Sequence, residues 1–180
     1  MLPQEKGHTM TERHGAVTLK GSPVTLLGPL VEVGSPAPDF VALKGDLSPF
    51  HISDAHGHVT IINAVPSLDT SPCSIQARRF NAEAANLGEN VKVLVVSMDL
   101  PFAQGRFCST EGIANLVTLS DHRDASFGRA YGVLIKELRL LARAVVVVDR
   151  KGVVRHVELV KEISQEPDYE AALAVAWQLL

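Results

Sequence analysis

Three runs dominated by apolar residues are the clearest pattern along the 180-residue chain. They occupy residues 59–65 (VTIINAV), 91–97 (VKVLVVS) and 144–148 (AVVVV). Nearly continuous apolar runs of this length are typical of strands that are buried on both faces of a sheet. The pattern therefore predicts a central sheet whose two faces are both covered by other elements.

A helical pattern lies between the first two apolar runs. Apolar residues recur there every three or four positions, which places a set of them on one helix face: Cys73, Ala77, Phe80, Ala84 and Leu87. Gly88 follows as the residue that ends the helix. Because a strand, a helix and a second strand follow one another, we expect the two strands to be parallel and joined by a right-handed crossover.

Two hairpins and a closing helix complete the predicted fold. Short β-prone runs at residues 16–19 and 24–27 flank the turn KGSP and predict an N-terminal hairpin. The turn DRKG joins residues 145–148 to residues 153–160 in a second, antiparallel hairpin. Residues 166–180 (EPDYEAALAVAWQLL) show the apolar spacing of a helix. The predicted fold class is α/β, with a mixed central sheet flanked by helices and an N-terminal β-hairpin.

The composition favours one globular domain. Hydrophobic residues make up 46% of the chain, and no Gly/Ser tract, charge block or repeat divides it. We expect residues 1–15 to be a flexible N-terminal extension and residues 16–180 to form a single domain. The net charge of −3 and the scattered Lys and Arg residues argue against a nucleic-acid partner.

The chain also lacks the patterns of membrane-spanning and secreted proteins. No apolar run approaches the roughly 18 residues of a membrane span. The first fifteen residues are polar and contain no apolar signal core. We therefore expect a cytoplasmic protein without a membrane partner.

Cys73 and Cys108 are the only two cysteines, too few for a disulfide-rich secreted scaffold. In a reducing cytoplasm, a bridge between them would be transient and catalytic. Cys73 lies near the predicted start of a helix, where unpaired backbone N–H groups and the helix dipole favour an anion. A thiolate is such an anion and is the reactive form of cysteine. The position therefore suits a nucleophile.

Fast attack on a peroxide needs additional groups, because negative charge arrives on the leaving oxygen as the O–O bond breaks. Thr70, three residues before Cys73, offers a hydroxyl that could hold the peroxide. Arg143, directly before the AVVVV run, offers a positive charge that could project into the same site. These residues could together hold a peroxide beside Cys73.

Separated sequence blocks carry a family resemblance. Residues 66–73 (PSLDTSPC) place Pro66, Thr70 and Cys73 at the positions of the Pro-x-x-x-Thr/Ser-x-x-Cys signature, and so resemble the peroxiredoxins. The blocks PSLDT, LPFAQGRFC, ARAVVVVD and EPDYEAALAV look like the thiol peroxidase branch of that family, an atypical two-cysteine peroxiredoxin. The resemblance extends from about residue 16 to the end, and several blocks in order are more specific than one motif.

This resemblance implies a thioredoxin-like fold, a homodimer, and reduction of hydrogen peroxide and organic hydroperoxides at the expense of thioredoxin. By position, Cys73 is the peroxidatic cysteine that becomes a sulfenic acid, while Thr70 and Arg143 position the peroxide and stabilise the transition state. Pro66 shields the pocket. Cys108 matches the resolving cysteine, which forms a disulfide with Cys73 within one chain after local unwinding.

One residue departs from the family pattern. Pro72 stands directly before Cys73, where the family more often has valine. A proline removes one backbone donor but fits a first helical turn. We expect it to leave the assignment of Cys73 intact and to affect the unwinding of that turn.

Each candidate also has a plainer interpretation. Free cysteines such as Cys73 and Cys108 are often small buried hydrophobic residues, the Thr70 side chain is suited to cap a helix, and Arg143 could be an ordinary ion-pair partner. Phe102 and Phe107 more often indicate packing, although they could flank a pocket for the alkyl tail of a hydroperoxide. We treat both phenylalanines as candidate pocket residues.

The sequence predicts no cofactor and no metal. It contains no glycine loop for phosphate and no flavin fingerprint. His51, His56 and His58 lie within eight residues of one another, but without a nearby cysteine or a clear fourth ligand they favour a solvated turn over a metal site.

Two other functions are compatible with this chemistry. A thiol–disulfide oxidoreductase of the same fold usually carries Cys-x-x-Cys, which this chain lacks. A redox-sensing protein would use its disulfide to switch a binding surface. Catalytic turnover of peroxide with thioredoxin distinguishes the enzyme from the sensor.

Overall fold

A computed structural model describes residues 10–180, which form ten strands, four α-helices and one 3₁₀-helix. The strands are β1 (Glu12–Leu19), β2 (Ser22–Leu27), β3 (Val41–Leu43), β4 (Pro49–His51), β5 (Val59–Ala64), β6 (Val91–Ser97), β7 (Val117–Ser120), β8 (Leu134–Ile135), β9 (Ala144–Val148) and β10 (Val154–Leu159). The helices are α1 (Ser71–Leu87), α2 (Pro101–Glu111), α3 (Ser126–Ala130) and α4 (Tyr169–Gln178), and the 3₁₀-helix is Ile52–Ala55.

A seven-stranded mixed sheet forms the centre, in the order β10-β9-β5-β6-β7-β3-β4. The three apolar runs of the sequence are its central strands β9, β5 and β6. As predicted, β5 and β6 are parallel neighbours, and helix α1 connects them along the chain. Strand β9 runs antiparallel to β5 on its other side and continues into the predicted hairpin with β10. The predicted mixed sheet is therefore confirmed.

Alternate residues of the central strands face two separate cores. Ile61, Val93 and Val145 pack with apolar residues of α1 and α4 on one face. Ile62 and Leu94 pack on the other face with a core that includes α3 and the N-terminal hairpin. Because neighbouring side chains of a strand point to opposite faces, a strand covered on both faces needs an unbroken apolar run.

Helix α1 follows its predicted pattern. The five residues predicted to share its inner face are all buried: Cys73, Ala77, Phe80, Ala84 and Leu87. The helix ends where Gly88 adopts a positive φ of 75°, a conformation that residues with a side chain rarely adopt. Helix α4 is also where the sequence placed it, and Asp168 caps it by accepting a hydrogen bond from the backbone N–H of Ala171.

The N-terminal hairpin begins earlier than the sequence suggested. Strand β1 starts at Glu12, so residues 12–15 of the expected extension belong to the hairpin, and β1 pairs with β2 in antiparallel register. Leu19, the last residue of β1, pairs with Ser22, the first residue of β2, and between them lies a two-residue turn at Lys20 and Gly21, both with positive φ. Residues 1–9 of the predicted extension lie outside the described residues.

Asp121 connects strand β7 to helix α3 through a buried carboxylate. The residue is 1% exposed, and its carboxylate accepts hydrogen bonds from the backbone N–H groups of Phe127 and Gly128 at 3.0 and 2.8 Å. Burial raises the pKa of the Asp121 carboxyl to about 6, although these hydrogen bonds oppose the rise.

We expect the free energy of unfolding of wild type to fall, relative to that of Asp121→Asn, as pH rises from about 4 to 7. The folded protein holds the Asp121 proton more tightly than the unfolded chain, so deprotonation favours unfolding, by on the order of 3 kcal/mol over this range. Urea unfolding of both proteins at several pH values measures the change. Asp46→Asn is the control with the opposite trend, because hydrogen bonds from Ser48 lower the pKa of Asp46. A pH-independent difference for Asp121→Asn would contradict the prediction.

Candidate active site

Cys73 is the third residue of α1 and is fully buried. Thr70 is the N-cap, in extended conformation, and Pro72 is the second helical residue. The first N–H groups of a helix have no intrahelical acceptor, so Pro72 removes no helical hydrogen bond there. The proline that departs from the family pattern is therefore accommodated by the first turn, as the sequence suggested.

The hydroxyl of Thr70 contacts the sulfur of Cys73. Oγ1 lies 2.9 Å from Sγ and also 2.9 Å from the carbonyl oxygen of Ser67, and it makes no capping hydrogen bond to the helix. A hydroxyl has one proton to donate. When Cys73 is a thiol, the Thr70 hydroxyl can donate to the Ser67 carbonyl and accept from the thiol. When Cys73 is a thiolate, the hydroxyl can rotate and donate to Sγ. Thr70 can therefore accommodate both forms of the nucleophile.

Arg143, directly before strand β9, contacts the same sulfur. Its Nη2 lies 3.3 Å from Sγ, Nη1 donates to Oε1 of Gln76 at 2.7 Å, and Nε donates to the carbonyl oxygen of Ile163 at 2.9 Å. The side chain is 1% exposed. None of the salt bridges found within residues 10–180 involves Arg143. Its positive charge is therefore directed at the sulfur and at neutral acceptors.

Two buried amides extend this network, and sequence reasoning missed both. Nε2 of Gln76 donates to Oδ1 of Asn63 at 3.1 Å, and Nδ2 of Asn63 donates to the carbonyl oxygen of Leu94 at 3.3 Å. Both side chains are fully buried. The available signal was Asn63 itself, a polar residue inside an apolar strand, because buried polar groups require partners. The amides fix the position of Arg143.

A cavity of about 280 Å³ opens onto this site. It is lined by Leu19, Lys20, Pro66, Thr70, Pro72, Arg143, Ile163 and Ser164. The fully buried sulfur lies behind Thr70 and Arg143, the two lining residues that contact it. The structure thus brings together four of the predicted site residues, Pro66, Thr70, Cys73 and Arg143.

Glu162 fixes the hairpin turn at the edge of this cavity. Its carboxylate accepts hydrogen bonds from the hydroxyls of Thr18 and Ser164, at 2.7 and 2.6 Å, and from the backbone N–H groups of Lys20 and Gly21. These hydrogen bonds, with that from Ser164 the strongest, hold the pKa of Glu162 well below its usual range. The hairpin is therefore attached to the segment that carries Ile163.

Comparison with known proteins identifies the family. The Redoxin family matches residues 32–173. A thiol peroxidase from Oceanobacillus iheyensis is 58% identical over 158 residues, which cover 88% of this chain and 96% of the relative. A thiol peroxidase from Bacillus subtilis is 52% identical over 164 residues, which cover 91% and 98% of the two chains. The chain belongs to the thiol peroxidase branch of the peroxiredoxin family.

Solved structures agree with this assignment. A peroxiredoxin-like protein from Aquifex aeolicus is similar, with a TM-score of 0.86 at 44% identity over 97% of this chain and 100% of the other. A thiol peroxidase from Chromobacterium violaceum, 19% identical, has a TM-score of 0.80 over 90% and 95% of the two chains, which supports the fold alone. The predicted thioredoxin-like fold is confirmed, and the protein is a peroxidase.

Cys108 lies apart from Cys73 in this structure. It is on α2, where its half-buried thiol donates a long hydrogen bond of 3.9 Å to Oγ1 of Thr118, and both cysteines are free. Burial raises the pKa of the Cys108 thiol, and the contact with Thr118 opposes this rise. The role of Cys108 in the peroxidase therefore stays a prediction that requires movement of α2.

The two candidate phenylalanines do not line the cavity beside Cys73. Phe102 is 66% exposed. Phe107 packs against the cluster that contains Cys73 and borders a separate cleft of about 410 Å³ between α1 and α2. That cleft is mostly polar, with Thr70 shared between the two spaces. The pocket roles of Phe102 and Phe107 stay predictions.

Other surface features lie away from this site. A cavity of about 460 Å³ beside Lys44, Phe50 and Lys92 shares no lining residue with it.

Within residues 10–180, no three His, Cys, Asp or Glu side chains are grouped to hold a metal ion. No helix in the described part of the chain is both long and apolar enough to span a membrane.

We expect Glu162→Gln to loosen the hairpin turn and to lower the free energy of unfolding at pH 7. The difference from wild type should narrow as pH falls, because a carboxylate with a lowered pKa stabilises the fold above its unfolded pKa and loses that effect on protonation. Urea unfolding at several pH values measures both effects. Glu158→Gln is the matched control, since Glu158 accepts from the backbone N–H of Asp168, outside the cavity.

For Glu162→Gln we also expect a several-fold rise in KM for an organic hydroperoxide, with a smaller change for hydrogen peroxide. The hairpin turn contributes Leu19 and Lys20 to the cavity. Glu158→Gln should leave the ratio of the two KM values at the wild-type level. The same ratio in Glu162→Gln as in wild type would show that the hairpin does not shape substrate binding.

Proposed function

We propose that the protein reduces hydrogen peroxide and organic hydroperoxides through a sulfenic acid on Cys73 and a disulfide between Cys73 and Cys108. The observation that carries the proposal is the placement of Sγ of Cys73 within reach of both Oγ1 of Thr70 and Nη2 of Arg143. Membership of the thiol peroxidase branch supports the reaction class.

In the first step, the Cys73 thiolate attacks the terminal oxygen of the peroxide. An S–O bond forms and the O–O bond breaks, so the sulfur is oxidised to a sulfenic acid and the second oxygen leaves as an alkoxide or hydroxide. Arg143 stabilises the arriving charge, and a proton completes the alcohol or water. The Thr70 hydroxyl orients the peroxide, and Gln76 and the Ile163 carbonyl hold the guanidinium in place.

In the second step, the Cys108 thiolate attacks the Cys73 sulfenic acid, and hydroxide leaves as the disulfide forms. Cys108 must first leave its place beside Thr118, because burial there raises the pKa of its thiol and so disfavours the thiolate. Local opening of helix ends is inexpensive compared with global unfolding. A reduced thioredoxin then supplies two electrons and two protons and restores both thiols.

The apolar cavity is the better place for the tail of an organic hydroperoxide. Leu19, Pro66, Pro72 and Ile163 give it apolar walls next to Arg143. The cleft beside Phe107 is mostly polar. Burial of apolar surface therefore favours the cavity over the cleft.

The remaining parts of the proposal are a homodimer and a cytoplasmic location. Similarity to the thiol peroxidases supports the dimer. Two cysteines, too few for a disulfide-rich secreted scaffold, support the cytoplasmic location.

The first experiment treats the reduced protein with one equivalent of hydrogen peroxide and maps its thiols by mass spectrometry. We expect a Cys73–Cys108 disulfide within one chain in wild type, and a trapped sulfenic acid on Cys73 in Cys108→Ser. Cys73→Ser should consume peroxide no faster than a free cysteine does. With thioredoxin and its reductase present, wild type should turn over many equivalents of peroxide. Stoichiometric consumption would instead favour a redox sensor.

Alanine variants locate the tail of an organic substrate. We expect Ile163→Ala to lower kcat/KM for cumene hydroperoxide several-fold relative to hydrogen peroxide, because it removes an apolar wall of the cavity. Val33→Ala, at an exposed apolar position outside the cavity, is the control and should leave the ratio unchanged. A reduced ratio in Phe107→Ala, with none in Ile163→Ala, would place the tail in the cleft and contradict the cavity assignment.

A further inference from the structure

The carboxylate of Asp99 links the loop before Cys73 to the start of helix α2. Asp99 follows β6 and stands directly before Leu100, the N-cap of α2. Its Oδ1 accepts a hydrogen bond from the hydroxyl of Ser67 at 2.7 Å, and its Oδ2 accepts from the backbone N–H of Leu68 at 2.9 Å. Oδ2 also accepts from the hydroxyl of Ser97 at 2.7 Å. One side chain therefore holds two consecutive residues of the loop.

Ser67 transmits this contact to Thr70. While its hydroxyl donates to Asp99, its carbonyl oxygen accepts from the backbone N–H of Thr70 at 3.1 Å and from Oγ1 of Thr70 at 2.9 Å. The same Oγ1 lies 2.9 Å from Sγ of Cys73. A continuous series of hydrogen-bonded groups thus leads from Asp99 to the nucleophile.

We propose that Asp99 is a positioning residue of the peroxidase, which sets the orientation of the Thr70 hydroxyl by fixing Ser67. The inference rests on the proposed function and identifies a residue outside the Pro-x-x-x-Thr/Ser-x-x-Cys segment. The Thr70 hydroxyl has one proton, which it can donate either to the Ser67 carbonyl or to the Cys73 sulfur. The position of that carbonyl therefore decides how readily the hydroxyl turns to the thiolate and the peroxide.

A carboxylate suits this position because all the groups that face it are donors. Both oxygens of an ionised carboxylate accept, whereas an amide of the same shape has one accepting oxygen and an NH₂ group that donates. In Asp99→Asn, the amide oxygen could still accept from the Leu68 N–H, but the NH₂ group would face the Ser67 hydroxyl, which would have to accept a hydrogen bond instead of donating one. Ser67 would then lose the acceptor that fixes its hydroxyl, so the loop should shift.

The test measures how fast hydrogen peroxide oxidises Cys73 in the Cys108→Ser background, by quenched trapping of the sulfenic acid and mass spectrometry. We expect Asp99→Asn to lower the second-order rate constant on the order of tenfold, as small misplacements at reacting groups do. Thr70→Val should lower it at least as much. The double variant should equal Thr70→Val alone, because Asp99 acts through Thr70.

Two further variants separate positioning from general loss of structure. Asp46→Asn is the matched control, since Asp46 also accepts from a serine hydroxyl and a backbone N–H, both of Ser48, in a loop outside the site. It should oxidise at the parent rate. Ser67→Ala removes the connecting hydroxyl and keeps the Asp99 carboxylate, and it should slow oxidation even if Asp99→Asn fails to fold. Thermal unfolding of each variant reports on folding.

The outcomes distinguish this inference from the proposed function. If the Cys108→Ser parent forms no sulfenic acid, the proposed function fails and the role of Asp99 fails with it. If the parent reacts and both Asp99→Asn and Ser67→Ala match its rate, only the role of Asp99 is wrong. If Asp99→Asn slows oxidation by the same factor with and without Thr70, Asp99 does not act through Thr70 and the inference is overturned.

Discussion

The buried guanidinium of Arg143 is the constraint on which this site depends. Burial of a charge is costly unless hydrogen bonds replace its water. Here the replacements come from two elements: α1 supplies Gln76 and Cys73, and the segment after β10 supplies the carbonyl oxygen of Ile163. The same contacts that make the charge tolerable hold it against the sulfur. Stability of the core and placement of the charge are therefore served by one set of hydrogen bonds.

The mixed sheet explains how these groups meet. Strands β5 and β6 are parallel, so the loops after them, which contain Ser67 and Asp99, lie at the same edge. Strand β9 is antiparallel to β5, with Ala144 opposite Ala64, so the N-terminal end of β9 lies at that edge. Arg143, directly before β9, points to the face that α1 covers, because Val145 packs there and alternate residues share a face.

The two cysteines have contrasting surroundings that suit different roles in the proposed cycle. Cys73 is fully buried but touches a hydroxyl and a guanidinium, so its surroundings can stabilise charge. Cys108 is half-buried on α2, and burial raises the pKa of its thiol. A thiol of raised pKa is a weak nucleophile until the helix opens. While α2 stays folded, Cys108 would therefore compete little with Cys73 for the peroxide.

The sequence by itself determined the elements whose signal is local and repeated. These are the three apolar strands, the helix of Cys73, both hairpins and α4, together with the motif that contains Pro66, Thr70 and Cys73. Strands β3, β4, β7 and β8 have only two to four residues each, too few to show a period, and long-range pairing alone defines them. Arg143 was found through its own sequence block, but Gln76, which accepts a hydrogen bond from it, and Asn63, which accepts from Gln76, were not. Only the tertiary structure decided those contacts, and the position of Phe102 outside the cavity, because hydrogen bonds between distant segments leave no periodic trace in the chain.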